Sequence, residues 1–186
     1  MPQRLVDLTE GVAMIVTDLH GDRDAFDRVM ATFTRLHDKG DVQRLLLLGD
    51  LIHGYGSPED DASLSMILDV MKLQERLGSD TVIMLLGNHE MPHIYGVWLG
   101  KGDRAFTPRF EHSLGEHRES VLAFLRGLPF FIRTAAGVMF SHAGVSMESI
   151  FRLRDLQNFD HQALLDKADA VLDEAEAAQA LDELYR

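Results

Sequence analysis

The sequence predicts an α/β fold built on a parallel central sheet, and three observations carry the prediction. Short, almost wholly apolar segments recur at residues 12–17 (VAMIVT), 45–48 (LLLL) and 82–86 (VIMLL), the pattern of strands covered on both faces. Between them lie stretches with apolar residues at helical spacing. The resulting order of strand, helix, strand, helix, strand implies parallel neighbours joined by right-handed crossovers.

The elements follow in chain order. After the first strand, Phe26, Val29, Met30, Phe33 and Leu36 line one face of a helix, with Asp22 placed as its N-cap. The second strand ends in Gly49-Asp50 and leads to a helix carried by Leu64, Ile67, Leu68, Met71 and Leu73 and closed by Gly78. The third strand runs into Gly87-Asn88-His89-Glu90. Residues 91–108 mix glycine and proline with Tyr95 and Trp98, which predicts an irregular loop or a short helix. Those two aromatics are expected in the core, with a cleft wall as the alternative use. Another helix is expected over 116–125, followed by a β-hairpin (LPFFIRTAAGVMFSHAG) that turns at 135–137 and has its return strand at 138–140.

From Gln162 onward, Leu164, Leu165, Ala168, Val171, Leu172, Ala175, Leu181 and Leu184 suggest one or two amphipathic helices. Residues 155–186 hold nine acids against Lys167 and Arg186, which is −7 of the net −12. We therefore divide the chain into a core, 1–154, and an acidic amphipathic helical segment, 155–186. No linker marks a second independent domain among the 186 residues.

Composition excludes several classes. A charge of −12 is unsuited to a nucleic-acid backbone partner, which needs clustered Lys and Arg. The apolar runs fall far short of the roughly 20 residues of a membrane helix, and the N-terminus (MPQRLVDLTEG) has no apolar signal region. No membrane partner is expected, and the default location is cytoplasmic; the oligomeric state stays open. With no cysteine, a transition metal must be held by nitrogen and oxygen.

Metal-capable side chains gather at the strand ends. The first strand delivers Asp18-Leu19-His20-Gly21, the second Gly49-Asp50, the third Gly87-Asn88-His89-Glu90, and the hairpin strand Ser141-His142-Ala143-Gly144. In open α/β sheets the ligand crevice lies beyond the carboxyl ends of the strands, so these four loops are expected to converge. Carboxylate, imidazole and amide oxygen together suit Mn, Fe or Zn. A shared carboxylate would hold two ions roughly 3.5–4 Å apart, the spacing that clamps an in-line phosphoryl displacement.

In this order, DLHG, GD, GNHE and SHAG resemble the motifs of the calcineurin-like metallophosphoesterases, and within them the bacterial relatives of the serine/threonine phosphoprotein phosphatases. The resemblance covers about residues 12–145. It implies a metallophosphoesterase-type α/β/β/α sandwich with a parallel or mixed central sheet. It also implies that Asp18 and His20 bind the first metal, Asp50 bridges, and Asn88 and His142 bind the second. His89 would protonate the leaving alkoxide while a metal-bridging hydroxide attacks phosphorus, which makes His89 and Asp50 the catalytic pair. Glu90 would orient the loop. The implied substrate is a phosphomonoester, with phosphoserine or phosphothreonine among the candidates. A small phosphate ester or a dinucleoside polyphosphate is the alternative, and a truncated metal- or phosphate-binding module is the non-enzymatic one.

Two departures from the family pattern matter. The second motif reads GDLIHGYG, so His53 and Gly54 stand where the family carries an Asp that polarises the catalytic histidine and an Arg that holds a phosphate oxygen. Arg23, Arg104 and Arg109 are candidates to replace that Arg, although each also suits the surface. In addition, the family's later histidine ligand has no counterpart: after Gly144 only His161 remains, in text that reads as helix. The chain thus resembles the N-terminal two-thirds of the family fold, incomplete at the C-terminal end. His53 and His93 follow strand-end motifs and are candidates to reach the cleft, although a purely structural place suits them too, and His37, His112 and His117 are expected in solvent.

Overall fold

A computed structural model of the chain describes residues 2–55, 57, 60–102, 104–143 and 157–171. The most apolar text forms a three-stranded parallel sheet. β2 (Ala13–Val16), β3 (Arg44–Leu47) and β4 (Val82–Met84) pair in the order β2-β3-β4, with Leu45 opposite both Met14 and Val82. The crossovers are α1 (Arg23–Asp38) and α2 (Ser63–Leu77). The Asp22 side chain accepts from the backbone N–H of Ala25 at 2.9 Å, and Gly78 ends α2, so the expected start signal of α1 and stop signal of α2 both operate.

The fully apolar text of β3 and β4 has its reason in the layers. Leu45, Leu47, Val82 and Met84 face the helices, where they join Phe26, Phe33, Met66, Ile67 and Val70. Leu46, Ile83 and Leu85 face the other way, onto Ile132 of a second sheet. That sheet contains β1 (Leu5–Leu8), β7 (Phe131–Thr134) and β8 (Met139–Ser141), with β1 parallel and β8 antiparallel to β7. The hairpin is where the sequence places it. β1 went unforeseen because four residues (LVDL) with an acid among them give little periodicity; it is held by pairing with a strand 126 positions away.

The segment after β4 is more regular than expected. It holds the short helix α3 (Met91–Tyr95), an antiparallel ribbon of β5 (Gly100–Lys101) and β6 (Arg104–Ala105), then α4 (Phe106–Leu114) and α5 (Arg118–Gly127). Trp98 is 66% exposed, which corrects its expected place in the core; Phe106 and Phe110 of α4 do that packing instead. His112 is exposed as expected, whereas His37 is half-buried, stacked on Phe33 and hydrogen-bonded to Val42 O. His117 is half-buried as well.

The final described helix, α6 (His161–Val171), starts against the core. Arg4, 2% exposed, gives its guanidinium protons to the carbonyls of Arg126, Leu128 and Phe159, and so ties the N-terminus to this segment. Gly144 and the expected helical text beyond 171 lie outside the described residues. No helix among the described residues is long and apolar enough to cross a membrane.

Candidate active site

The loops that leave β2, β3, β4 and β8 do meet. Asp18 and His20 follow β2, Asp50 follows β3, Asn88 and His89 follow β4, and His142 follows β8, so one site draws on both sheets. The first two loops are laced by main-chain bonds: Asp18 N–H donates to Gly49 O, His20 N–H to Asp50 O and Gly21 N–H to Leu51 O, at 3.3, 3.0 and 2.8 Å. Glycine is required where the loops after β3 and β4 touch. A Cβ on Gly49 would lie 2.7 Å from Gly87 Cα, and one on Gly87 would clash with the Asp50 backbone and the Glu90 carboxylate.

Glu90 is fully buried and acts as a clamp. Its carboxylate accepts from the backbone N–H groups of Asp50, Leu51 and Gly87 at 3.0, 2.9 and 3.0 Å. Burial pushes its pKa up to about 7, with the Asp50 charge adding to the shift and the three N–H groups opposing it. The polar side chain that follows Asn88-His89 thus holds the turn in register.

Backbone strain is concentrated here. The non-glycine residues with positive φ among those described are Asp18, His20, Asp50 and His53, at 51°, 43°, 52° and 71°. Left-handed backbone costs about 1–2 kcal/mol at such a residue, and it persists where surrounding contacts dictate side-chain aim.

Two clusters of ligand-type atoms form, each within 4.8 Å: His20, Asp50 and His89, and Asp18, Asp50 and His142. Asp50 belongs to both. His142 Nδ1 faces Leu48 O at 2.8 Å, and His20 Nδ1 faces Ile52 O at 3.3 Å. A carbonyl can only accept, so each Nδ1 carries a proton, and in a neutral imidazole the lone pair is then at Nε2. The Nε2 of His142 then lies 2.8 Å from Asn88 Oδ1 and 3.3 Å from Asp50 Oδ1. With a lone pair at Nε2, these three atoms are acceptors that could hold a cation between them. Imidazoles oriented by backbone carbonyls, together with a shared carboxylate, fit divalent metal binding on the nitrogen and oxygen set foreseen from the absence of cysteine.

His89 differs. Its Nε2 lies 3.9 Å from Asp50 Oδ2, but its Nδ1 faces another imidazole, His53 Nδ1 at 3.0 Å, in place of a carbonyl. Burial lowers the His89 pKa; Asp50 opposes the shift and His20 adds to it. His53 is 1% exposed, and burial with the nearby His93 and His89 pushes it down to about 2. His93 and Glu111 stand behind His53. Nothing in the sequence links Glu111 to His93, because the contact joins residues 18 positions apart on two separate helices.

The arginines proposed for substrate phosphate each have a protein partner. Arg23 pairs with Asp27 and Asp69 at 2.9 and 2.7 Å, and Arg109 pairs with Asp61 at 3.1 Å. Arg104 lies over the Tyr55 ring, which in turn packs edge-on to His20. Next to the metal-capable cluster, an open cavity of about 630 Å³ is bordered by Asp18, His20, Arg23 and Tyr55. His161 is in neither cluster; it is buried against Tyr95, Phe130 and Phe159.

The profile of the calcineurin-like phosphoesterases matches residues 12–183. Curated protein sequences give no match. Among solved structures, the chain is similar to a protein serine/threonine phosphatase from Saccharomyces cerevisiae, with a TM-score of 0.55 and 18% identity over 86% of this chain and 48% of that one. It is also similar to a cold-active protein-tyrosine phosphatase of a psychrophilic Shewanella species, with a TM-score of 0.54 and 19% identity over 92% of this chain and 50% of the other. The chain spans about half the length of these two proteins, and the likeness to them is one of fold. The profile match, which takes in all four strand-end loops, places the chain in the calcineurin-like phosphoesterase family.

Proposed function

We propose that the chain is a dinuclear metal-dependent phosphoesterase that hydrolyses phosphomonoesters, phosphoserine and phosphothreonine among them. The observation that carries this reading is the position of Asp50 between two ligand clusters. Asp18, His20, Asp50, Asn88 and His142 would hold two divalent ions (Mn, Fe or Zn). Such ions supply water of lowered pKa at neutral pH and neutralise charge on the phosphoryl oxygens.

The remaining work falls to side chains. Asp50 is held by its own backbone bond to Glu90, and its Oδ1 accepts from the backbone N–H of His89 at 3.0 Å, so the two loops move as one piece. His89, beside Asp50 but without a carbonyl on Nδ1, serves as the acid that protonates the leaving alkoxide from Nε2. The catalytic unit in this reading is residues 1–154, with 155–186 an acidic segment of helical pattern outside it.

The test is metal content by elemental analysis on Mn²⁺-reconstituted protein, with aryl-phosphate hydrolysis followed on the same samples. Wild type should hold two ions per chain and turn over. Asp50→Ala should lose both metal and activity, and His89→Ala should lose activity while keeping metal. One ion or fewer, with no turnover above the variants, would refute the enzyme and leave a metal- or phosphate-binding module.

A further inference from the structure

Where the family carries an aspartate to polarise its catalytic histidine, this chain has His53, and His53 leads to further groups. Its Nδ1 is 3.0 Å from His89 Nδ1, and its Nε2 is 2.8 Å from His93 Nε2. His93 Nδ1 is 2.7 Å from Glu111 Oε1, and Glu111 Oε2 accepts from Arg118 Nε at 2.8 Å. His53 and His93 are 1% and 2% exposed. The ring of Phe106 stacks on His53 at 5.3 Å between centroids, and Phe110 packs edge-on to His93 at 4.8 Å.

We propose that His53, His93 and Glu111 form a hydrogen-bonded relay that fixes His89 in its Nδ1–H tautomer and leaves Nε2 as the atom that exchanges protons in the site. The inference rests on the acid role given to His89 above. His53, His93 and Glu111 are positioning residues in it.

The direction of the relay follows from counting protons. Glu111 can only accept when ionised: burial raises its pKa, but the hydrogen bonds from His93 and Arg118 hold it below the usual carboxylate range. His93 therefore carries its proton on Nδ1. Burial keeps His93 neutral, so its Nε2 is a lone pair and must accept from His53 Nε2–H. A neutral His53 then offers a lone pair at Nδ1, which accepts from His89 Nδ1–H. Reversing any one link puts two N–H groups or two lone pairs face to face at buried or part-buried nitrogens. The histidine side chain free in water prefers the Nε2–H tautomer; the relay inverts that preference. When His89 acts, its Nε2–H bond breaks, an O–H bond forms on the leaving alkoxide, and neutral His89 is left in the tautomer that the relay already holds.

The test is two-bond ¹H–¹⁵N correlation NMR on the full, metal-free, ¹⁵N-labelled chain. His53 is expected to show a pyridine-type Nδ1 and a pyrrole-type Nε2, while His93 and His89 show the reverse. Glu111→Gln, whose amide oxygen still accepts, should keep this pattern. Glu111→Ala should let His89 take up the Nε2–H form. In the Mn²⁺-loaded enzyme, Glu111→Ala should lower kcat about tenfold at unchanged KM, part of the ~10²–10⁴-fold that a general acid contributes, with Gln restoring most of it. An Nε2–H His89 in wild type, or tautomers and kcat that Glu111→Ala leaves unchanged, would overturn the relay. If no sample turns over, the enzymatic reading fails, and the tautomers still decide the relay.

Discussion

Acid should weaken this fold at a histidine far from the metal cluster. His161 is 1% exposed; its Nδ1 lies 2.5 Å from the Tyr95 hydroxyl, and its Nε2 is buried with no hydrogen-bond partner among the described residues. Burial, with Arg4 and Arg126 nearby, lowers its pKa from 6.5 to about 4. The folded pKa lies below the unfolded one, so the unfolded chain takes up the proton first as pH falls. The stability this neutral imidazole supports is complete above pH 6.5 and is lost as pH falls toward 4 and below. At pH 4 the unfolded residue is fully protonated and the folded one half so, a difference of about 3 kcal/mol. That is a large share of the roughly 5–15 kcal/mol that holds a domain together. Urea unfolding followed by circular dichroism at pH 7 and pH 4 measures it on wild type and His161→Met. Between the two pH values wild type should lose about 3 kcal/mol more than the variant, a comparison that cancels both the cost of the substitution and titrations elsewhere. Parallel losses, within about 0.5 kcal/mol, would refute the reasoning. The same variant should keep the wild-type metal count, because His161 belongs to neither ligand cluster.

Asp18 has a left-handed backbone and an exposed side chain, so Asp18→Gly should stabilise the metal-free protein by about 0.5–1 kcal/mol while weakening metal binding; a loss of stability in EDTA would contradict the strain argument. Gly87→Ala should cost about 1–3 kcal/mol and displace Asp50, so that thermal stability and metal content fall together; a variant with wild-type metal content would show that the loops have room to part. Arg4→Met leaves the carbonyls of Arg126, Leu128 and Phe159 without their charged donor. It should destabilise by about 3 kcal/mol in urea titration, and a change below 1 kcal/mol would mean that these carbonyls find other donors.

The central sheet was legible because its signal is local. Strands covered on both faces must be apolar throughout, and a helix needs one apolar face with a cap; both patterns stand in the text around β2, β3, β4, α1 and α2. The metal-capable residues were legible for a related reason. Asp18, His20, Asp50 and Asn88 follow strands of one parallel sheet, which brings their carboxyl ends to one edge, while His142 follows β8 of the other sheet. β1 escaped notice because a four-residue strand is specified by its partner, and Trp98 was misplaced because hydrophobicity alone does not say which of several nearby aromatics is covered.

The sequence by itself determined which residues can hold a metal, that no thiolate is among them, and which strand each one follows. Tertiary structure alone decided how the two clusters close around Asp50, whose bridging place the motif resemblance had implied, and that His161 serves packing. It also decided that His53 stands against His89 and is backed by His93 and Glu111. The reason is physical: periodicity and capping act over a few residues, whereas a hydrogen bond between buried side chains depends on how separate helices and loops pack, and no spacing along the chain encodes that distance.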